Sequence, residues 1–218
     1  MIELVTKKPQ IELTAALGAG YEKGYTEGKK AGIEELEADI YFTNHGTMYR
    51  KHHKILGENS DGFYNYAYRY ADKMESLYIP NLYSLYTAQT SVFEGCSSLK
   101  TAYLPKIQRI GANYFNGCKA LEEITLGCEE YPMVTVSSNA LYNCVSLKRI
   151  NFIGTISTSL NLVQSPLLDD KTIETIIDSL ADLNGATAQK LTFYSKVGER
   201  LTEEQKAAIT AKNWALVY

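Results

Sequence analysis

Apolar residues in the middle of the chain recur in a fixed pattern, L-x-x-I-x-L. Leu99, Ala102 and Leu104 set it, and Leu121, Ile124 and Leu126 repeat it, as do Leu147, Ile150 and Phe152. Met74, Leu77 and Ile79 form a looser upstream copy. The last three positions alternate, which predicts a short strand with one face buried. Pro80, Pro105 and Gly127 then end the strands. The runs that carry these strands begin at Phe93, Phe115 and Leu141, so successive starts lie 22 and 26 residues apart. A unit of that size cannot close its own core; stacking units buries a continuous one. Four strands ~4.8 Å apart make a stack only ~20 Å long, which calls for caps at both ends. Before each strand Cys96, Cys118 and Cys144 share one position, taken by Ala71 in the upstream copy. After it, Pro80, Leu82 and Leu85 match Pro105, Ile107 and Ile110. Residues 127–140 (GCEEYPMVTVSSNA) lengthen the third link, and Val134 and Val136 there mark a candidate extra strand.

The side chains between the buried positions of each strand face outward. They form one column across the stack: Ser76 and Tyr78, Thr101 and Tyr103, Glu123 and Thr125, Arg149 and Asn151. This is the candidate partner-binding face. Tyrosines on it supply rigid, amphipathic contact area, and the pattern predicts that Tyr78 and Tyr103 are exposed neighbours on one sheet face.

The pattern changes on both sides of the repeats. From residue 157 to 218, Ser159 to Val163 reads as a strand. Asp169 or Asp170 then caps a helix with Ile173, Ile176, Ile177 and Leu180 on one face, stopped by Asn184-Gly185. KLTFY is a strand, Thr202-x-x-Gln205 is a capping box opening a helix to about Lys212, and WALVY is a last strand. Trp214 is expected to pack inside this α/β cap. At the other end, Gly20, Gly24, Gly28 and Gly32 recur every four residues ahead of helix formers. Each glycine costs a helix ~1 kcal/mol against alanine, so a helix here needs close packing on another helix, in an oligomer or on a partner. Docking on its own domain and a flexible tether are the alternatives. Residues 1–40 thus read as an anchor or oligomerisation segment, 41–67 as an N-terminal cap, 68–156 as repeats and 157–218 as the C-terminal cap. Within 41–67, Arg50 to Lys54 is a basic run expected on a solvated loop or strand face. Asn59 to Gly62 reads as a turn, and Tyr64, Tyr66, Tyr68 and Tyr70 alternate as in a strand stacked with rings over the first repeat.

The stretch FEGCSSLKTAYLPKIQRIGANYFNGCKALEEITL (from Phe93) resembles the leucine-rich repeats of the bacterial surface-antigen type, called BspA-like. Their unit is F-x-x-C-x-x-L-x-x-I-x-L-P followed by I-x-x-I-G, and the match spans about residues 68–153. The resemblance implies an α+β chain: a short right-handed leucine-rich-repeat solenoid of about four β-strand repeats, with an N-terminal helix and an α/β C-terminal cap. It also implies a non-enzymatic role in binding a protein or glycan. The N-terminal Gly-x-x-x-Gly stretch is similar in composition to stretches of phage and prophage tail proteins. Together these favour a receptor-binding component of a virion, assembled in the bacterial cytoplasm. A bacterial cell-surface adhesin is the alternative, and a virion subunit that only binds neighbouring subunits is a third.

Composition narrows the chemistry. The chain has 218 residues, 45% of them apolar, and a net charge of −3, which suits a globular fold and leaves no nucleic-acid footprint. No apolar run reaches the ~20 residues of a membrane span, and Glu22, Lys23, Glu27, Lys29 and Lys30 exclude one in the glycine stretch. MIELVTKKPQIELTAALGAG does not read as a secretory signal, which leaves a trimmed signal or assembly in the cytosol. Seventeen tyrosines stand against one tryptophan. The three repeat cysteines are expected to form an inward column of thiols. A disulfide between adjacent rungs is compatible with the spacing, but three in a column cannot all pair. Spacings of 22 and 26 do not suit zinc, and no base stands beside any of them for nucleophilic catalysis. Cys128 has no assigned role. His45, His52 and His53 lack a carboxylate at metal-site spacing. No hydrolase, nucleotide-binding or metal-binding motif occurs, and Glu122-Glu123 and Glu129-Glu130 read as solvated charge. The expectation is a protein without catalytic residues, cofactor or metal.

Overall fold

The alternation read above becomes a ladder of parallel strands. A computed structural model describes residues 40–44, 46–55, 63–82, 89–127, 129–130, 135–137 and 139–218. The glycines at 20, 24, 28 and 32, and His45, Leu85, Cys128 and Val134, lie outside the described residues. The described residues open with an antiparallel pair, β1 (Ile40–Phe42) and β2 (Met48–Arg50). β3 (His52–Lys54), β4 (Ser76–Tyr78) and β5 (Thr101–Leu104) follow. The short β6 (Arg109–Ile110) precedes β7 (Glu123–Gly127), and the short β8 (Thr135–Val136) precedes β9 (Arg149–Ile153). Five of these form one parallel sheet in the order β3-β4-β5-β7-β9.

The register of that sheet follows the repeat. His53, Leu77, Ala102, Ile124 and Ile150 align as one inward row. Leu104, Leu126 and Phe152 align as the next, continued by Ile79, whose N–H donates to the Tyr103 carbonyl at 2.9 Å. All nine are buried. Full burial of one such aliphatic side chain contributes roughly 1.5–3 kcal/mol, so the rows are a main source of cohesion. β6 and β8 pair in parallel beside the main sheet, Ile110 opposite Val136. The candidate extra strand around Val136 is therefore present, and it continues the Ile110 position of the I-x-x-I-G part of the repeat.

Two expectations about the N-terminal side change. Among the described residues the ladder has five strands where about four were expected, because β3 forms a rung inside the basic run Arg50 to Lys54. Of the two readings of that run the strand face holds: His52 and Lys54 are exposed, while His53 takes the isoleucine position of L-x-x-I-x-L and is buried. The four alternating tyrosines do not form a strand. Residues 65–70 are turns, and Tyr66 and Tyr70 have φ of 64° and 59°, which strand backbone does not adopt. Tyr68 instead occupies the phenylalanine position of the repeat. Its ring stacks on Phe93 at 5.3 Å, and Phe93 stacks on Phe115 at 5.3 Å.

The three repeat cysteines are architectural. Cys96 Sγ donates to the Tyr68 carbonyl at 3.3 Å, Cys118 Sγ to that of Phe93 at 3.2 Å, and Cys144 Sγ to that of Phe115 at 3.3 Å. Each thiol thus satisfies a buried carbonyl of the rung before it. All three are free and buried, so the disulfide alternative falls away. Burial raises the Cys118 thiol well above its ordinary value and the Cys144 thiol to about 12, which leaves both protonated and inert as nucleophiles.

Three strands make a second, separate parallel sheet: β10 (Leu160–Leu162), β11 (Gln189–Phe193) and β12 (Trp214–Val217). Helix α1 (Asp170–Ser179) lies between β10 and β11, capped by Asp169, which accepts from the Thr172 N–H at 2.7 Å. Its apolar face, with Ile173, Ile176 and Ile177, packs on β9 and closes that end of the ladder. The helix ends earlier than Asn184-Gly185. Leu180 is already extended and bridges to Ile156, so its burial comes from that bridge rather than from a further helical turn. A four-residue helix α2 (Ser195–Gly198) precedes α3 (Glu203–Ala211), whose capping box of Thr202 and Gln205 is present. Trp214 is buried, and its indole N–H donates to the Ala181 carbonyl at 2.9 Å.

Candidate functional site

Period-two backbone on a shared register brings the eight candidate face residues together. Ser76, Thr101, Glu123 and Arg149 align across β4, β5, β7 and β9, and Tyr78, Tyr103, Thr125 and Asn151 align beside them. Tyr78 and Tyr103 stack with centroids 5.0 Å apart and planes within 6° of parallel. They remain 41% and 37% exposed. Large aromatic rings left this open on a sheet are an unusual use of apolar surface, and their mutual stacking holds each in place.

A groove of 430 Å³ runs beside the pair. Ser76 and Thr101 lie on it with the two tyrosines, and Glu123 and Thr125 complete its far side. Arg149 and Asn151 do not line it. Thr125 is outward by register but only 7% exposed. Lys54 of β3 closes the other end, and sequence reasoning missed it. The signal was present: His52, His53 and Lys54 follow an exposed-buried-exposed alternation, hidden because the buried member is polar. A second concavity of 350 Å³ adjoins Tyr103 and is bordered by Pro105, Lys106, Glu129 and Glu130.

Charge is ordered along the face. Just before the strands, Lys51, Glu75, Lys100, Glu122 and Lys148 form a column in which each N–H donates to the carbonyl of the preceding member, at 2.7–3.0 Å. Its signs alternate. Glu75 pairs with Lys100 and Lys51, each at 3.0 Å, and Glu122 pairs with Lys148 at 3.0 Å. The bonds from Lys100 and Lys51 hold the Glu75 carboxyl below its usual range. On the face itself, the Arg149 guanidinium donates to Glu123 Oε2 from Nη2 at 2.7 Å and from Nε at 3.1 Å. Glu122 and Glu123 are therefore in ion pairs, not simply solvated, while Glu129 and Glu130 are exposed.

The histidines divide. His52 is exposed, its Nδ1 2.9 Å from Ser76 Oγ. His53 Nδ1 accepts from the Arg50 N–H at 3.3 Å, which places the ring proton on Nε2, 3.2 Å from Tyr68 Oη. Burial, and after it the Arg50 charge, pull its pKa down to about 4. It is a neutral core side chain. Among the described residues no cluster of His, Cys, Asp and Glu could hold a metal ion, and no helix is long and apolar enough to cross a membrane.

The sequence matches a family model described as the BspA type leucine-rich repeat region, with six copies over residues 56–177. No curated protein and no solved structure matches it.

Proposed function

The chain belongs to the BspA-type leucine-rich-repeat family, and from that premise we propose that it is a non-enzymatic binding protein whose outward sheet face engages a protein or glycan. The family points to a protein-binding or adhesin-type role. The observation that carries the reading to particular residues is the stacked, exposed pair Tyr78 and Tyr103 beside an open groove. Mutual stacking lowers the cost of ordering the rings on binding, and tyrosine is enriched where interfaces draw their energy. The buried, hydrogen-bonded thiols and the ion-paired glutamates support a role without catalysis. The test is binding of labelled full-length chain to cells of the source or host bacterium. The Tyr78→Ala/Tyr103→Ala double variant, folded by circular dichroism, is expected to bind at least tenfold more weakly. Undiminished binding would remove the face from the account and turn to a subunit that contacts only its neighbours.

The setting we propose is a phage or prophage particle, with the solenoid face presented outward. Residues 1–40 would anchor it through Gly20, Gly24, Gly28 and Gly32, packed on a second copy or on a neighbouring virion protein. The composition of that N-terminal stretch supports this setting; the repeat family by itself also suits a surface adhesin. Mass spectrometry of purified particles separates the two. Full-length chain in the particles, lost when residues 1–40 are deleted, agrees with the virion reading. Chain found only in the cell envelope favours the adhesin.

A further inference from the structure

The chemistry around the stacked tyrosines narrows the ligand class. The two central strands of the groove offer hydroxyls, Ser76 and Tyr78 on β4 and Thr101 and Tyr103 on β5, and the nearly buried Thr125 of β7 borders it. A hydroxyl both donates and accepts, so this set complements another array of hydroxyls. The rungs repeat every ~4.8 Å, a spacing that an extended pyranose chain can follow unit by unit. A protein partner would instead want a desolvated apolar centre. Here Leu77 and Ala102 reach the groove but are 2% and 3% exposed, so the rings are its main apolar surface.

The charge of the face differs from that of the chain. Its five strands and the charged column before them carry five cations against three carboxylates, while the whole chain has a net charge of −3. Every one of those carboxylates is in an ion pair. Lys54 is exposed, lines the tyrosine end of the groove and makes no ion pair among the described residues. Lys54 therefore puts one of the two surplus positive charges beside Tyr78, its register partner, where an anionic group on a ligand would meet it.

We propose that this groove binds an acidic polysaccharide: a chain of pyranose units laid across the strands, its hydroxyls on the Ser76/Thr101 and Tyr78/Tyr103 sides and a carboxylate at Lys54. The inference rests on the face being a binding surface and adds which chemistry it takes. Isothermal titration of the full-length chain tests it with three probes: an oligogalacturonate, a neutral galactan oligosaccharide of equal length, and polyglutamate. The oligogalacturonate is expected to bind at least tenfold more tightly than either of the others. Lys54→Gln, an exposed change, is expected to weaken it at least fivefold, and the loss to shrink as salt rises. Equal affinity for the neutral sugar, equal or tighter binding of polyglutamate, or no oligogalacturonate binding each overturns the proposal. The cell-binding comparison keeps the two readings apart. If the double tyrosine variant loses cells but the wild type binds no uronate, the glycan inference fails and the binding face stands. If the double variant keeps its cells, the face itself fails.

Discussion

Single residues are fixed by rows that run through several rungs. Gly127 ends β7 with φ of 115°, and a Cβ there would overlap the carbonyl oxygen of Ile153 on the next strand. Gly185 also has positive φ, of 83°, but a Cβ there would meet nothing within 4 Å. Left-handed backbone costs an L-residue roughly 1–2 kcal/mol, and backbone overlap adds to that because neither strand can move alone. Gly185→Ala is thus expected to cost about 1 kcal/mol and Gly127→Ala at least about 3 kcal/mol. Urea unfolding of both variants checks this, and equal losses would show that the strands yield at Gly127. The L-x-x-I-x-L positions were legible because a buried row demands apolar residues at fixed spacing. The cysteine column was legible as inward, though not its partners: the carbonyls it satisfies belong to the preceding rung and leave no mark in the local sequence. Tyr68 was misread because four tyrosines at every second position imitate a strand. The glycine-like φ of Tyr66 and Tyr70 shows that turn geometry prevailed.

At the scale of the element, β3 is the informative case. A histidine at the isoleucine position of the repeat made the rung invisible to a hydrophobic pattern, yet its hydrogen bonds to Arg50 and Tyr68 make it an acceptable core side chain while neutral. Because its folded pKa is about 4 against 6.5 for the free side chain, the unfolded chain binds more protons between those values. Its contribution is fully present above pH 6.5 and is lost as pH falls toward 4. At ~1.4 kcal/mol per pKa unit the loss is on the order of 3 kcal/mol. His53→Leu, which restores the residue of the neighbouring rung, should remove that part of the pH dependence. Unfolding midpoints at pH 7.5 and 4.5 compare the two proteins; parallel declines would mean that His53 is not the group responsible. The C-terminal elements were easier to read, because the Asp169 cap and the Thr202–Gln205 box are local devices with sequence signatures. The end of α1 was not, since Leu180 leaves the helix for a tertiary bridge to Ile156.

At the scale of the molecule, stacking turns a short repeat into one extended surface. Five rungs align their outward residues so that Tyr78 and Tyr103 meet although 25 residues separate them in sequence. Their exposure and contact follow from the period of the repeat and were legible. The groove's lysine, Lys54, was not, because it belongs to the rung the pattern missed. The alternating charges of Lys51, Glu75, Lys100, Glu122 and Lys148 reinforce the register of the stack, each pair adding little alone because it is exposed. The proposed contact is made by this sheet face and not by the turns outside it. Hydroxyl-radical footprinting of the full-length chain, free and bound to cells, reads that from the tyrosines themselves. Tyr64 and Tyr142 lie in or beside turns outside the sheet and are 90% and 38% exposed. Tyr78 and Tyr103 are expected to lose reactivity on binding while Tyr64 and Tyr142 keep theirs; protection of Tyr64 or Tyr142 with Tyr78 and Tyr103 unchanged would contradict contact through the sheet face.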